Sequence, residues 1–310
     1  MEFVNNRGFT TISFPGIGIT VNPSSGITIG SFHIAWYGVI IACGLALAIL
    51  YCCRRSKEFG IKEDDILDGV LWIVPVAIIC ARLYYCLFYQ NSQGVNPYFE
   101  DPSKILSIRD GGLAIYGGVI GAVLCVLLWC KIKKVNVFAI LDLVVLGFLI
   151  GQSIGRWGNF FNREAFGAPT NSWLRMGLTD AVTGVTVYYH PTFLYESLWN
   201  CVGFIALHLI SKHRKYDGQI TLGYLFWYGL GRSWIEGLRT DSLYHTFFGV
   251  QLRVSQVLSI GMCVVGAVGL IVMAIRKPDP DKRFVCRVAA QAEVSQDPDL
   301  TEEQTESTEE

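Results

Sequence analysis

Seven long apolar segments constrain this sequence of 310 residues more than any other feature. A helix needs about 20 mostly apolar residues to cross the hydrocarbon core of a bilayer. Hydrophobic residues make up 52% of the chain and charged residues only 16%, a balance too apolar for an ordinary soluble domain. The sequence therefore predicts an all-α integral membrane protein with seven transmembrane helices, at residues 32–53, 66–88, 113–131, 137–155, 192–210, 219–237 and 254–275.

Lysine and arginine are concentrated after the odd-numbered segments, where four short stretches hold 15 of the 25 basic residues. The positive-inside rule places these stretches in the cytoplasm, which puts the N-terminus outside and the C-terminus inside. This orientation predicts an external N-terminal segment, 1–31, and a seven-helix catalytic domain, 32–275, with an external head at 156–191. A cytoplasmic tail follows at 276–310.

The head and the tail differ in composition. The head contains the stretch TGVTVYY, whose β-branched residues and glycine predict a strand. The tail ends in SQDPDLTEEQTESTEE, which is acidic and lacks aromatic residues, and this composition predicts disorder. Nine of the ten cysteines lie in or beside apolar segments without a zinc-like spacing, so we interpret them as small apolar residues and expect no metal.

Charged residues occur inside the sixth apolar segment, YLFWYGLGRSWIEGLR. A charged side chain at the centre of a span costs about 2.5–3.5 kcal/mol on insertion scales, so it suggests a function. Arg232, Glu236 and Arg239 lie within about 60° of one helix face, and Tyr228 extends that face. An internal ion pair between Arg232 and Glu236 is the structural alternative, but it leaves the second arginine on the same face unexplained.

A second charged stretch, SIGRWGNFFNREAFG at 153–167, directly follows the fourth apolar segment. The planar fork of Arg156 suits a phosphate, and the Asn159 amide offers donors and acceptors. The predicted topology brings Arg156 to a depth near the outer leaflet that is similar to that of Arg232 or Arg239. The two arginines therefore predict a site for a phospholipid headgroup.

Other polar residues fall at a similar predicted depth. Each is compatible with an ordinary interfacial position, so none is diagnostic alone. Arg82 in the second segment is expected to pair with an acidic residue of another helix. The remaining candidates for the site are His33, Tyr37, Arg109, Asp110, Tyr116, His190, Tyr195 and Glu196.

The sequence resembles a known family. GRWGNFFNREAFG matches the signature G-R-x-G-N-F-x-N-x-E-x-x-G of prolipoprotein diacylglyceryl transferases. WYG at 36–38, DGGLAIYGGVIG at 110–121, HPTFLYE at 190–196 and GRSWIEGLR at 231–239 also resemble blocks of that family, in its order. The resemblance covers the membrane body and leaves out the first 30 residues and the acidic tail.

The resemblance implies a transferase of the bacterial cytoplasmic membrane, with multiple spans. Members of the family transfer the diacylglyceryl group of phosphatidylglycerol to the lipobox cysteine thiol in the signal peptide of a prolipoprotein, which releases glycerol phosphate. This reaction begins the maturation of bacterial lipoproteins. It implies a lipid and a prolipoprotein as partners, no nucleic acid and no cofactor.

The resemblance also implies roles for individual residues. Arg156 and Arg232 correspond to arginines that hold the lipid phosphate and stabilise the departing glycerol phosphate, and Glu164 falls on the signature. The residues with an implied role in binding phosphatidylglycerol are Tyr37, Arg156, Asn159, Gly167, Tyr228, Glu236 and Arg239.

The sequence departs from the family at one catalytic position. Tyr116 stands where some members carry a histidine that has been proposed as the base. A phenol gives up its proton far less readily than an imidazolium near neutral pH, so tyrosine is a poor base there. Tyr116 therefore remains a catalytic candidate beside two alternatives, Glu164 and His190.

Two other classes of protein compete with the enzyme. A lipid transporter would also place polar residues inside its spans, but the sequence has no internal repeat and no matching pair of broken helices. A structural membrane protein would use the same charges only to hold its helices together. A transfer assay with a labelled lipid and a lipobox peptide separates the three classes.

Overall fold

The computed structural model describes residues 8–30, 32–90, 94–107, 111–240, 244–247 and 250–294. Within these ranges the chain is mostly helical. The helices are α1 (Trp36–Arg55), α2 (Glu63–Phe88), α3 (Pro97–Glu100), α4 (Ile115–Lys133), α5 (Val137–Asn162), α6 (Thr192–Ser211), α7 (Gln219–Leu238), α8 (Val254–Arg276) and α9 (Phe284–Val294). The strands are β1 (Phe9–Phe14), β2 (Ile19–Val21), β3 (Gly26–Ile29), β4 (Phe32–Ala35), β5 (Met176–Asp180), β6 (Thr186–Tyr189), β7 (Tyr244–Phe247) and β8 (Val250–Arg253).

Six of these helices, α1, α2, α4, α5, α6 and α8, are long and apolar enough to cross a membrane. The sixth predicted segment, 219–237, forms α7, whose 20 residues span about 30 Å. Its length is sufficient, but its polar and charged residues keep it out of the set selected by hydropathy. The chain is thus a membrane protein with multiple candidate spans, and six of them are identified by their length and composition.

Two predicted helix boundaries were wrong. The first helix begins at Trp36 instead of residue 32, because Phe32–Ala35 pair with Gly26–Ile29 as a strand. The fourth predicted segment ends at Asn162 instead of residue 155, so the first half of the charged signature is helical. Arg156 and Asn159 therefore lie on the last turns of α5, which fixes their directions relative to one another.

The predicted all-α class did not include the β-sheets that the structure contains. A four-stranded antiparallel sheet has the strand order β2-β1-β5-β6, and β6 lies within the strand predicted at 183–189. The sheet joins the N-terminal segment to the predicted head through the β1–β5 pair. Ile12, Met176 and Leu178 are buried between these strands, together with Phe193 of α6. The N-terminal segment and the segment after α5 thus fold as one sheet, because each supplies only part of its hydrophobic face.

The chain divides into two compact units. The first contains residues 1–52 and 141–283, and the second contains residues 53–140 and 284–310. In the first unit, α7 packs against α6 and α8. Trp199 of α6 and Trp227 of α7 stack at 4.5 Å, and each indole Nε1 donates to the backbone oxygen of the other residue at 2.9 Å. These reciprocal bonds set the register between α6 and α7.

The N-terminus of α7 receives its cap from another helix. Asp142 of α5 is fully buried and accepts hydrogen bonds from the backbone nitrogens of Gly218 and Thr221, each at 2.8 Å. The Thr221 hydroxyl donates to the same carboxylate at 2.8 Å. A carboxylate at this end satisfies exposed N–H groups and complements the helix dipole. Asp142 therefore anchors α7 to α5 inside the first unit.

In the second unit, α2 packs against α4. The Lys133 ammonium at the end of α4 lies 2.6 Å from a carboxylate oxygen of Asp68 and 3.3 Å from one of Asp65, both on α2. These ion pairs join the C-terminal end of α4 to the N-terminal end of α2 and so fix the position of one helix along the other.

Among the residues that the structure describes, Arg82 takes backbone carbonyls as its partners, whereas the sequence predicted an acidic residue of another helix. It is buried on α2 and donates to the backbone oxygens of five residues: Lys104, Ile105, Ser107, Gly111 and Gly112. Its guanidinium also lies 5.3 Å from the centre of the Tyr98 ring. The described parts of the loop between α2 and α4 therefore fold around Arg82, whose guanidinium binds five carbonyl dipoles.

The predicted disorder of the tail does not hold throughout it. Phe284–Val294 form α9, which packs against the turn after α1. Contact between Val285 and Gly60 shows that apolar residues of this segment have a partner, so burial offsets the cost of ordering it. Residues 295–310, which carry most of the acidic charge, lie outside the described residues.

We expect Asp142→Ala to lower the free energy of unfolding of the solubilised protein by about 3 kcal/mol, because it leaves the buried N–H groups at the start of α7 without an acceptor. Asp142→Asn, which keeps one acceptor oxygen, should lose less. Thermal denaturation in detergent measures both effects. Asp281→Ala, at an exposed carboxylate, is the control, and equal stability of Asp142→Ala and Asp281→Ala would contradict this role.

Candidate active site

Five charged side chains form a group of ion pairs in the first unit, and the carboxylate of Glu196 lies at its centre. Glu196 of α6 is only 4% exposed, and its Oε2 lies 2.6 Å from Nε of Arg156 on α5. Its Oε1 pairs with Arg232 of α7 and lies 3.8 Å from a guanidinium nitrogen of Arg239. We call the five side chains Arg156, Glu196, Arg232, Glu236 and Arg239 the arginine cluster.

Arg232 and Glu236 form the ion pair that was the structural alternative for the sixth segment. The pair is real, but it belongs to a larger arrangement, because Arg232 binds Glu196 at the same time. Arg253 of β8 donates to the backbone oxygen of Glu236, which brings a further guanidinium to the end of α7. Three guanidiniums and two carboxylates leave the arginine cluster with a net charge of +1.

Hydrogen bonds between α5 and α6 set the position of Arg156 relative to Glu196. The Ser153 hydroxyl donates to the backbone oxygen of Ser197 at 2.9 Å, and the Ser197 hydroxyl donates to that of Ser153 at 2.8 Å. The Trp157 indole donates to the Ser197 hydroxyl at 3.2 Å. Because these residues adjoin Arg156 and Glu196 in sequence, the ion pair has a fixed geometry.

Asn159 and Glu164 of the signature bind one another. The Asn159 amide donates to Oε1 of Glu164 at 3.0 Å, and the Asn162 amide donates to the same oxygen at 3.3 Å. The backbone nitrogen of Glu164 also donates to the backbone oxygen of Asn159 at 3.1 Å. Glu164 thus closes the end of α5 and holds Asn159 one turn beyond Arg156.

Arg163 has a structural role that its place in the signature did not reveal. It is 1% exposed and donates to the backbone oxygen of Thr10 at 3.0 Å, to that of Pro23 at 2.8 Å and to the Asn22 side chain at 2.7 Å. Burial lowers the pKa of its guanidinium from the ordinary value. Arg163 therefore ties the end of α5 to the N-terminal segment.

Gly167 brings the end of the signature against the end of α7. It forms a β-bridge with Arg239, and the nitrogen of Ala168 donates to the oxygen of Leu238 at 2.7 Å. A Cβ atom on Gly167 would lie 2.8 Å from Cβ of His190 and 2.9 Å from the Leu238 oxygen. Only glycine allows this approach, which positions the backbone of Arg239.

His190 lies beside that bridge. Its backbone oxygen accepts from the nitrogen of Gly167 at 2.9 Å, and its Nδ1 lies 3.2 Å from the Tyr195 hydroxyl. Tyr195 directly precedes Glu196 on α6. His190 therefore contacts the residue that precedes Glu196 in the chain.

Two tyrosines predicted for the site lie in the same unit. The ring of Tyr37, at the start of α1, packs on Gly158, where a Cβ atom would come within 2.5 Å of the ring. Tyr228 stacks on Tyr224 at 5.4 Å, one turn before Arg232 on α7. The Gln152 amide donates to the Tyr224 hydroxyl at 2.9 Å, so a polar path runs from α5 into α7.

Tyr116 belongs to the second unit, on the first turn of α4, and is 38% exposed. The loop held by Arg82 ends four residues before it. Arg109 and Asp110, which were also candidates, lie outside the described residues. Within the part of the chain that the structure describes, no group of three or more His, Cys, Asp or Glu side chains is arranged to hold a metal ion.

Glu196 is the residue whose importance the sequence understated. It was one of several polar residues near the start of the fifth segment, and its link to three arginines depends on contacts between helices. The available signal was a carboxylate within an apolar helix, where an ionised group needs a partner.

The fold and the site together define a multi-pass membrane protein with a buried ion-pair cluster in a helical unit. The family model described as "Prolipoprotein diacylglyceryl transferase" matches residues 25–272. The chain belongs to this family and is a transferase.

Several relatives carry the name phosphatidylglycerol–prolipoprotein diacylglyceryl transferase. The protein from Bacillus cytotoxicus is 41% identical over 265 residues, which cover 84% of this chain and 94% of the relative. One from Bacillus cereus is 42% identical, with coverage of 83% and 94%. One from Clostridioides difficile is 44% identical over 245 residues, with coverage of 79% and 91%. The similarity extends over nearly the full length of each relative.

Proposed function

We propose that this protein transfers the diacylglyceryl group of phosphatidylglycerol to the lipobox cysteine thiol of a prolipoprotein. The sulfur forms a bond to the glyceryl carbon while the bond from that carbon to the phosphate oxygen breaks. The electron pair of the broken bond stays on the phosphate, so glycerol phosphate departs, and the thiol proton passes to a base. The product is a thioether, and the step requires no acyl-enzyme.

The observation that carries this proposal is the arginine cluster within a member of this family. A phosphodiester bears one negative charge, and the five ion-paired side chains bear a net charge of +1. Arg156 and Arg232 approach Glu196 from two different helices, so a phosphate beside that carboxylate has two guanidiniums within reach. Guanidiniums aimed at the phosphate stabilise the charge that develops on the leaving group.

The other signature residues support these arginines. Asn159 offers an amide one turn from Arg156, Gly167 aligns Arg239, and Glu236 holds Arg232. Tyr37 and Tyr228 lie next to the helices that carry the arginines and suit contacts with the lipid glycerol or its chains. We assign all of these residues to the binding of phosphatidylglycerol.

We also propose seven membrane spans, with the N-terminus outside, the C-terminus inside and the head on the outer face. The length of α7 and its packing against the candidate spans α6 and α8 support its role as the seventh. Its charged residues Arg232 and Glu236 are satisfied by ion pairs inside the protein, which reduces the cost of insertion. The bacterial source of the relatives supports a location in the cytoplasmic membrane.

The proposed orientation predicts different accessibility for two epitope tags in intact spheroplasts. A tag inserted at the exposed Gly184, in the turn between β5 and β6, should be reached by an antibody from outside. A tag at the C-terminus should be reached only after permeabilisation. The same side for both tags would refute seven spans with the head outside.

We expect Arg156→Lys to lower diacylglyceryl transfer at least about a hundredfold, because a point ammonium lacks the planar fork that binds phosphate through two bonds. Transfer of labelled diacylglyceryl from phosphatidylglycerol to a lipobox peptide measures the effect. Arg175→Lys, the same change on the head, should leave the rate close to that of the wild type. Near-normal transfer by Arg156→Lys would defeat the phosphate-binding role.

The same assay addresses the competing classes. Wild-type protein that binds phosphatidylglycerol but never modifies the peptide would defeat the enzyme. Movement of the lipid between leaflets without modification of the peptide would favour a transporter, and neither binding nor movement would favour a structural protein.

Among the candidates for the base, we favour His190. The Glu164 carboxylate already accepts hydrogen bonds from two amides, and the Tyr116 phenol is a weak base. When Nδ1 of His190 donates to the Tyr195 hydroxyl, Nε2 is the nitrogen that accepts a proton. His190 also lies in the same unit as the arginine cluster.

His190→Ala should reduce the transfer rate by about 10²- to 10⁴-fold, the usual contribution of a general base. The KM for phosphatidylglycerol should change little, because the histidine acts on the thiol. Tyr116→Phe should retain transfer within about tenfold of the wild type, since we assign no proton transfer to the phenol. A larger loss in Tyr116→Phe than in His190→Ala would reverse the assignment.

A further inference from the structure

Glu196 occupies the centre of the arginine cluster, although its carboxylate has the same sign of charge as the substrate phosphate. Its two oxygens bind Arg156 and Arg232, and Arg239 lies 3.8 Å away. A site built only to attract a phosphate would gain from losing this carboxylate. Its burial at the centre therefore calls for an explanation beyond affinity for the lipid.

The explanation follows from the charge of the product, on the proposed function. The substrate phosphodiester carries one negative charge. When the carbon–oxygen bond breaks, its electron pair remains on the phosphate and the thiol proton goes to the base, so the departing phosphomonoester carries two negative charges. Its second pKa is about 6, which keeps it doubly charged near neutral pH.

We propose that Glu196 limits the positive charge of the arginine cluster so that the site binds the singly charged phosphodiester and releases the doubly charged phosphomonoester. With Glu196, the five side chains sum to +1, and without it they would sum to +2. The nearby guanidinium of Arg253 adds the same charge in both cases, so the loss of Glu196 moves the site by one charge towards the doubly charged product. Glu196 touches no reacting atom in this role; it positions the guanidiniums and sets their combined charge.

Glu236 does not substitute for this role. In the part of the chain that the structure describes, its carboxylate forms an ion pair with Arg232, whereas Glu196 reaches guanidiniums from α5, from α7 and from the residue that follows α7. A charge change at Glu196 therefore acts on Arg156 and Arg232 together, which are the two arginines assigned to the phosphate.

The test compares two inhibitors of transfer at pH 8. Glycerol phosphate is the doubly charged product, and glycerophosphoglycerol is a singly charged diester with the same polar groups as the lipid head. In the wild type, glycerol phosphate should inhibit no more strongly than glycerophosphoglycerol. In Glu196→Gln, inhibition by glycerol phosphate should strengthen at least about tenfold relative to the diester, because the neutral amide removes one charge at close range.

The same variant should show a first turnover that is faster than the following ones, since product release becomes slow. Glu196→Asp keeps the charge and should keep the inhibitor ratio of the wild type, even where its shorter side chain lowers the rate. Glu100→Gln, the same change at an exposed carboxylate of α3 outside the arginine cluster, should leave the ratio unchanged. An unchanged ratio in Glu196→Gln would overturn the proposal.

The outcome stays decisive if Glu196→Gln does not fold, which thermal denaturation in detergent reveals. In that case the wild type alone decides: glycerol phosphate that inhibits about tenfold or more tightly than the diester would overturn the proposal. Failure of the proposed function looks different, because the wild type would then transfer no diacylglyceryl group to the peptide. Active wild type with an unchanged ratio in Glu196→Gln defeats only the role of Glu196.

Discussion

The ion pairing of Glu196 is the interaction on which the candidate site depends. Arginine within a membrane helix is costly unless a partner satisfies it, and Glu196 satisfies guanidiniums from two helices at once. A buried carboxylate without a partner also costs free energy. The helices must therefore hold Glu196 and the arginines close enough to form ion pairs, which offset both costs. The serine and tryptophan contacts of α6 with α5 and α7 provide that distance.

The residues after α5 are fixed to the rest of the first unit in the same way. Arg163 fastens the end of α5 to the N-terminal segment, and the β1–β5 pair joins that segment to the strands after α5. Gly167 then links the chain beyond α5 to the end of α7. The signature thus contributes one arginine to the cluster, Arg156, and a second to the fold, Arg163, which explains how two arginines in one motif serve different purposes.

Much of the fold and of the site could be predicted from the sequence. Apolar length alone located the helices, because the cost of exposing backbone to lipid leaves few alternatives to a helix. The signature and the charged face of α7 identified Arg156 and Arg232 as partners of one site. The four-stranded sheet escaped prediction because its strands β1 and β5 are separated by four long helices and neither is strongly patterned alone.

By itself, the sequence determined that this chain is a membrane protein of a transferase family with arginines at an apolar boundary. Hydropathy and a contiguous motif are local properties, which the order of residues contains completely. Only the tertiary structure decided that Glu196 is the common partner of three arginines, that Arg82 binds five backbone carbonyls, and that Arg163 is structural. The reason is that the partner of a buried charge depends on which helix packs beside it. Local sequence patterns do not reveal which helices are neighbours in space.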